Sequence, residues 1–225
     1  NILLSSTFET MPYASVKRVR EPKFPNRDVI SHERALVKKL NECYSHKQVA
    51  AIKYKNGTCL EFLSAQGYEL KLESLDNKRD GMHLLNVKEE NAITKALVYV
   101  SPGKETVFRK KIEDYGTKLT QYGKPKNNDL VSGIEDVKLA SLEDFWIGKK
   151  EHVPKKVPVW CEIWLRYNYK LKSKDTWEFV EEGFKNICLE LNVELDDSHL
   201  VFPERLVKLA KVNSEQLELI IGECP

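Results

Sequence analysis

Apolar positions change period several times along the chain, and each change marks an element. Leu36, Leu40, Cys43, Tyr44 and Val49 recur at helical spacing behind Ser31, which predicts an amphipathic helix over 32–50 with Ser31 as its N-cap. Asn56-Gly57 is a turn signal. From Cys59 the period falls to two, and residues 59–64 read as a strand. Residues 68–75 alternate again after a Gln66-Gly67 turn, although 73–75 also suits the start of a short helix. Residues 78–81 are a turn, followed by strand-like residues 83–88, and 96–100 form a short apolar run typical of a buried strand.

A helix is expected over 105–115, where Phe108, Ile112 and Tyr115 share a face. Glu105 can pair with Arg109 four residues on, and Gly116 suits the position just past the helix end. Residues 117–130 are polar, with a loop at 123–128. Leu130, Ile134 and Val137 then suggest helix up to an aromatic end at Phe145-Trp146.

The second half has the clearest pattern. In residues 157–166, Val159, Cys161, Ile163 and Leu165 face one way and Trp160, Glu162, Trp164 and Arg166 the other, as in a strand. Phe179, Val180, Phe184, Ile187, Cys188 and Leu191 form a helical stripe over 176–192, with Asp175 and Glu178 as a capping pair. Residues 199–202 and 206–212 read as strands, and Ser214 caps a last helix to 222. The order βαββα is most of a ferredoxin-like split βαβ module. The expected fold class is therefore α+β, with antiparallel sheets carrying helices on one face. Its expected parts are an extended Pro-rich basic arm (1–30), a first α+β subdomain (31–150) and a ferredoxin-like subdomain (151–225).

Composition adds mostly exclusions. The 225 residues include 36 Lys and Arg against 34 Asp and Glu, a formal net charge of +2. That balance argues against a dedicated nucleic-acid binder. Apolar residues at 41% are too many for a disordered chain, and no run approaches the roughly 18 apolar residues of a membrane span. The five cysteines are scattered, odd in number and without a CxxC pair, which weighs against a disulfide framework or zinc knuckle and favours a reduced, cytoplasmic compartment. Cys161 and Cys188 read as small buried hydrophobes. Asn1 and the Cys224-Pro225 end both read as cuts within a longer protein.

Catalytic signatures are missing from the sequence. There is no GxGxxG, GxxxxGK[ST], GxSxG or HExxH motif. His32, His46, His83, His152 and His199 have no metal-ligand spacing and read as surface or capping residues. Residues 196–199 (DDSH) hold all three triad residue types, but triad members come from separated elements, so this run reads as a loop with Asx-turn chemistry. No catalytic residue, metal ligand or cofactor-binding residue is assigned.

Two docking candidates remain. Aromatic and Arg residues in one stripe are what partner interfaces favour, which singles out Trp160, Glu162, Trp164 and Arg166. The bland alternative is a sheet face covered by a helix of the same fold, with Glu162 and Arg166 as a rim pair. The basic arm, with Arg18, Arg20 and Arg27, is the second candidate, its alternative being a solvated surface segment.

A family resemblance joins several of these segments. It runs through residues 24–28 (FPNRD), His32, 60–62 (LEF), 73–75 (ESL), 81–87 (GMHLLNV), 98–104 (VYVSPGK), 124–127 (KPKN), 134–143 (IEDVKLASLE) and 159–166 (VWCEIWLR). In this order they resemble the long N-terminal region of a group of bacterial subtilisin-like (S8 family) serine peptidases, from about residue 20 to the end. The resemblance implies a parent enzyme that cleaves peptide bonds with an Asp-His-Ser triad. It also implies an AAA-type ATPase partner encoded beside the peptidase, in some pairs for defence against phage. The family's Asp-Thr-Gly, His-Gly-Thr and Gly-Thr-Ser segments do not occur here, so the catalytic domain is expected after Pro225 and no triad residue is carried over. The implied role is non-catalytic and prodomain-like, in folding, inhibition or docking, with the downstream catalytic domain as partner and no membrane contact. The alternative is a free-standing protein- or nucleic-acid-interaction module.

Overall fold

Asp28, rather than Ser31, begins the first helix: its Oδ1 accepts from the Ser31 amide at 2.8 Å, the bond that satisfies one of the free N–H groups of a first turn. The structure is a computed structural model and describes residues 24–47, 50, 52–167 and 176–223. In chain order the elements are α1 (Val29–His46), β1 (Thr58–Ser64), α2 (Leu72–Leu75), β2 (Met82–Glu90), β3 (Ile93–Val100), α3 (Glu105–Thr117), α4 (Asn128–Val131), β4 (Ile134–Leu139) and α5 (Leu142–Phe145). They continue with β5 (Val159–Arg166), α6 (Trp177–Glu190), β6 (Glu194–Phe202), β7 (Arg205–Val212) and α7 (Ser214–Glu223). The result is a mixed α+β architecture with two antiparallel sheets and packed helices. No described helix is long and apolar enough to cross a membrane.

The first sheet has the order β2-β3-β1-β4. Leu60, Phe62, Ala96, Val98, Val100, Ile134 and Val137 meet Leu36 and Leu40 of α1 and Phe108, Ile112 and Tyr115 of α3. Phe62 and Phe108 are fully buried and meet edge to face with centroids 4.7 Å apart. Each contributes on the order of 2–3 kcal/mol by burial, with a further increment from ring geometry. Gly116 lies inside α3 rather than past its end. A Cβ there would come within 2.6 Å of the Glu33 side chain, so the glycine lets α1 and α3 approach. The opposite face of this sheet is also covered. Cys59, Leu97 and Ala140 pack there with Ile52, Tyr54, Phe145 and Ile221 of α7. Helices on one face only is therefore too simple for the first sheet.

The second sheet has the order β5-β7-β6. Because β5 and β6 each run antiparallel to β7, they are parallel to each other with β7 between. One face carries α6 and α7: Cys161, Leu165, Leu206, Ala210 and Val212 pack on Phe184, Cys188, Leu217 and Ile220. Thr176 caps α6, its Oγ1 accepting from the Phe179 amide at 3.5 Å, while Asp175 lies outside the described residues. The two sheets are tied together by Lys55 N–H to Gly222 C=O at 3.0 Å and by Arg166 and Arg205 donating to the carbonyls of Leu84 and Leu85.

Several local expectations are corrected. Residues 134–139 are a strand, not helix; the short α4 ends at Val131 and Gly133 separates the two. Residues 68–71 form no strand, and α2 follows. Arg109 pairs with Glu113 at 2.8 Å rather than with Glu105. His32 is buried, not a surface residue, and its Nε2 lies 2.8 Å from the Ile134 carbonyl. Residues 196–198 lie within β6 as an irregularity of its pairing with β7, although the Asx chemistry is present: Asp196 Oδ1 accepts from the Ser198 amide at 2.9 Å.

Candidate interaction surface

Register decides which side chains share the free face of the second sheet, because directly opposed residues point the same way. Trp160 opposes Lys211, Glu162 opposes Leu209, Trp164 opposes Val207 and Arg166 opposes Arg205. On the far side of β7, Leu200 opposes Val207 and Phe202 opposes Arg205. Five large apolar side chains on this face stay open to solvent: Trp160 (48%), Trp164 (51%), Leu200 (61%), Phe202 (45%) and Leu209 (37%). Val207 is buried beneath them as the floor.

The patch is ordered by its own contacts. Trp164 and Phe202 stack with parallel rings, centroids 6.0 Å apart and planes 4° apart. The Trp164 indole N–H donates to Glu162 Oε2 at 3.2 Å. Lys211 lies 5.9 Å from the Trp160 ring centroid and pairs with Glu194 at 2.9 Å. Flat rings held in place around an apolar floor, with alternating charge at the rim, have the composition of a protein-binding surface.

The expectation of a covering helix is therefore corrected. Both helices of this unit lie on the other face, and among the described residues none lies over Trp160 and Trp164. The expected Glu162–Arg166 pair does not form. Arg166 turns to the first sheet instead, donating to the Leu84 carbonyl at 2.9 Å and meeting Asp76 at 3.4 Å. Arg18 and Arg20 lie outside the described residues. Arg27 is folded against β4, its side chain 14% exposed and paired with Glu135 at 2.8 Å. Of the seven candidates, the structure brings together Trp160, Glu162 and Trp164. Leu200, Phe202 and Leu209 were missed. They become neighbours of the tryptophans only through the turn at Glu204, whose φ of 63° closes the β6–β7 hairpin.

A second cluster lies under α6. Lys208 projects toward the helices with its side chain fully buried, and Nζ lies 3.2 Å from Glu181 Oε1 and 2.9 Å from the Ser198 carbonyl. Glu181 also meets Lys185 at 3.1 Å and His199 Nδ1 at 3.2 Å. Burial by itself raises the Glu181 carboxyl, but the hydrogen bonds and charges of Lys185 and Lys208 outweigh it and hold the group below its ordinary value. One carboxylate serves both lysines and each member has a partner within the fold, so the cluster is a structural ion network. The cysteine thiols among the described residues are equally inert: burial raises Cys161, pushes Cys43 and Cys188 up to about 11 and Cys59 up to about 12, leaving no thiolate at neutral pH. Among the described residues no three His, Cys, Asp or Glu side chains are grouped as metal ligands. Compared with protein-family models, with curated proteins and with solved structures, the chain matches none.

Proposed function

We propose that this chain is the non-catalytic N-terminal portion of a subtilisin-like serine peptidase, and that the open face of its second sheet docks onto the catalytic domain. The observation that carries the reading is the Trp164–Phe202 stack with Trp160, Leu200 and Leu209 around it, a solvent-facing aromatic patch on a rigid sheet. Support also comes from the topology. Two parallel strands split by an antiparallel third, with two helices on one face, are the ferredoxin-like arrangement that subtilase prodomains use to pack against the protease. The module would act in folding, inhibition or docking, and within a peptidase–ATPase pair it would add a contact to the ATPase.

The test is association of residues 1–225 with the downstream catalytic domain, followed by calorimetry and peptidase assay. Trp164→Ala and Phe202→Ala should each weaken binding by about 30-fold or more, since a central aromatic anchor is worth about 2 kcal/mol or above. Absence of association, together with full peptidase activity after deletion of 1–225, would refute the reading. A parallel titration with the ATPase separates docking to that partner from docking to the protease.

A further inference from the structure

Each sheet in this chain has two edges, and three of the four are blunted. The β2 edge has a register shift between Leu84 and Asn86 and ends in Lys88-Glu89-Glu90. The β4 edge is six residues long, carries Glu135, Asp136 and Lys138, and lies against α1. The β6 edge is broken between Leu195 and His199, with Asp196 and Asp197 in the break. Bulges, charges and short length are the devices that stop a sheet edge from pairing with another chain.

The β5 edge has none of them. It pairs with β7 without interruption for eight residues, Val159 to Arg166, and contains no proline and no lysine. Of its two charges, Arg166 is turned away to Asp76 and the Leu84 carbonyl, which leaves Glu162. Among the described residues β5 bonds to β7 alone, so its outer row of amides and carbonyls is unpaired.

We propose that a second copy of this chain occupies that edge, β5 pairing antiparallel with its own counterpart about a two-fold axis at Ile163. The choice of occupant rests on self-complementarity. Pairing that keeps the two faces in register opposes residues whose numbers sum to an even value. Centring on Glu162 sets that carboxylate against itself. Centring on Ile163 sets Glu162 against the partner's Trp164, a ring whose N–H already donates to a glutamate. The same register sets Cys161 against the partner's Leu165 on the helix-covered side. It is the longest overlap that opposes no like charges. The product is a six-stranded sheet with α6 and α7 of both copies on one side and the Trp160 and Trp164 rings of both on the other. This inference does not depend on the peptidase reading, which concerns the face rather than the edge.

The test is sedimentation and light scattering on the whole chain from about 1 µM to about 1 mM, a range suited to a small interface. The expected mass rises with concentration from the 26.1 kDa of one chain to twice that value. Trp164→Glu sets a carboxylate against the partner's Glu162 on both sides of the axis and should weaken the dimer tenfold or more, whereas Trp164→Lys sets an ammonium there and should match or tighten it. Trp164 is half exposed, so both variants keep the fold, which circular dichroism checks. Hydrogen exchange should show β5 amides gaining protection at high concentration. A chain that stays at one mass throughout overturns the proposal, as does a dimer that responds equally to the two Trp164 variants or leaves the β5 amides unprotected.

Discussion

Replacing Glu181 by leucine should reveal how much of the second unit depends on one buried ion pair. The side chain of Lys208 is fully buried and that of Glu181 is 10% exposed, so the variant leaves an ammonium without its counter-charge in a low-dielectric site. Removing one partner of a buried pair costs about 3–5 kcal/mol. Lys208 keeps the Ser198 carbonyl at 2.9 Å and the Asp197 carbonyl at 3.4 Å, which places Glu181→Leu near the low end, about 3 kcal/mol. Lys208→Met should cost less, about 1–2 kcal/mol, because Glu181 retains Lys185 and His199. The double variant removes both charges and should lie within about 1 kcal/mol of wild type, giving a coupling of at least about 3 kcal/mol. Urea denaturation at pH 7 measures all four proteins. The sign with pH follows from the lowered Glu181 carboxyl: its contribution is complete above the unfolded value of about 4.3 and is lost as pH falls through the folded value. The acid limb of Glu181→Leu should therefore be shallower than that of the wild type. A Glu181→Leu protein within about 1 kcal/mol of wild type, or a double variant weaker than Glu181→Leu alone, would refute the reasoning.

Other substitutions probe other parts of the molecule. Phe62→Ala removes a fully buried ring from its edge-to-face contact with Phe108 and should cost about 3–5 kcal/mol in urea unfolding. Gly222→Ala places a Cβ 2.6 Å from the Lys53 carbonyl, so α7 must shift off the first sheet; the expected cost is about 1–3 kcal/mol, with faster exchange of the Lys55 amide that bonds to Gly222. Asp114 accepts from Lys118 at 2.6 Å and Lys126 at 2.7 Å, and these bonds hold its carboxyl at about 2. Its stabilisation is full above about pH 4 and disappears as pH falls toward 2, so Asp114→Asn should flatten that part of the stability profile.

The sequence was most legible where one period dominated. In β5 strict alternation put Cys161 and Leu165 inside and Trp160 and Trp164 outside, and the strand has those faces. It was least legible where two periods coincide. Leu130, Ile134 and Val137 are spaced i, i+4, i+7, which a helix satisfies, yet Leu130 lies in α4 while Ile134 and Val137 lie on either side of the irregular pairing between β4 and β1. Ser132-Gly133 was the available signal: a Cβ on Gly133 would lie 2.9 Å from the Glu69 carbonyl, so the chain turns there. Lys208 sits in the apolar row Leu206, Ala210, Val212 of β7, and a lysine in such a row signals a buried acid. Its partner, 27 positions upstream on α6, has no local mark. The patch on the free face was half legible for the same reason: β5 supplies a pattern, but Leu200 and Phe202 join it only through tertiary pairing.

A sheet with one solvated face ordinarily alternates apolar with polar, and threonine would hold the strand as well as tryptophan does. The half-exposed areas of Trp160 and Trp164 therefore add little to folding. A buried tryptophan removes about 200 Å² from water, so each still offers a partner about 100 Å², or about 2.5 kcal/mol. The face spends side-chain area, whereas the β5 edge spends backbone hydrogen bonds, and these two resources separate the proposed interfaces. Phe202 lies two strands from the edge, about 10 Å away. Phe202→Ala should thus weaken docking on the face and leave self-association unchanged, while Trp164→Glu, at the junction, should weaken the dimer most. Binding isotherms for docking and sedimentation for self-association read the two effects separately. If Phe202→Ala abolished the dimer, edge and face would be one interface, and the two-fold at Ile163 would be the wrong geometry.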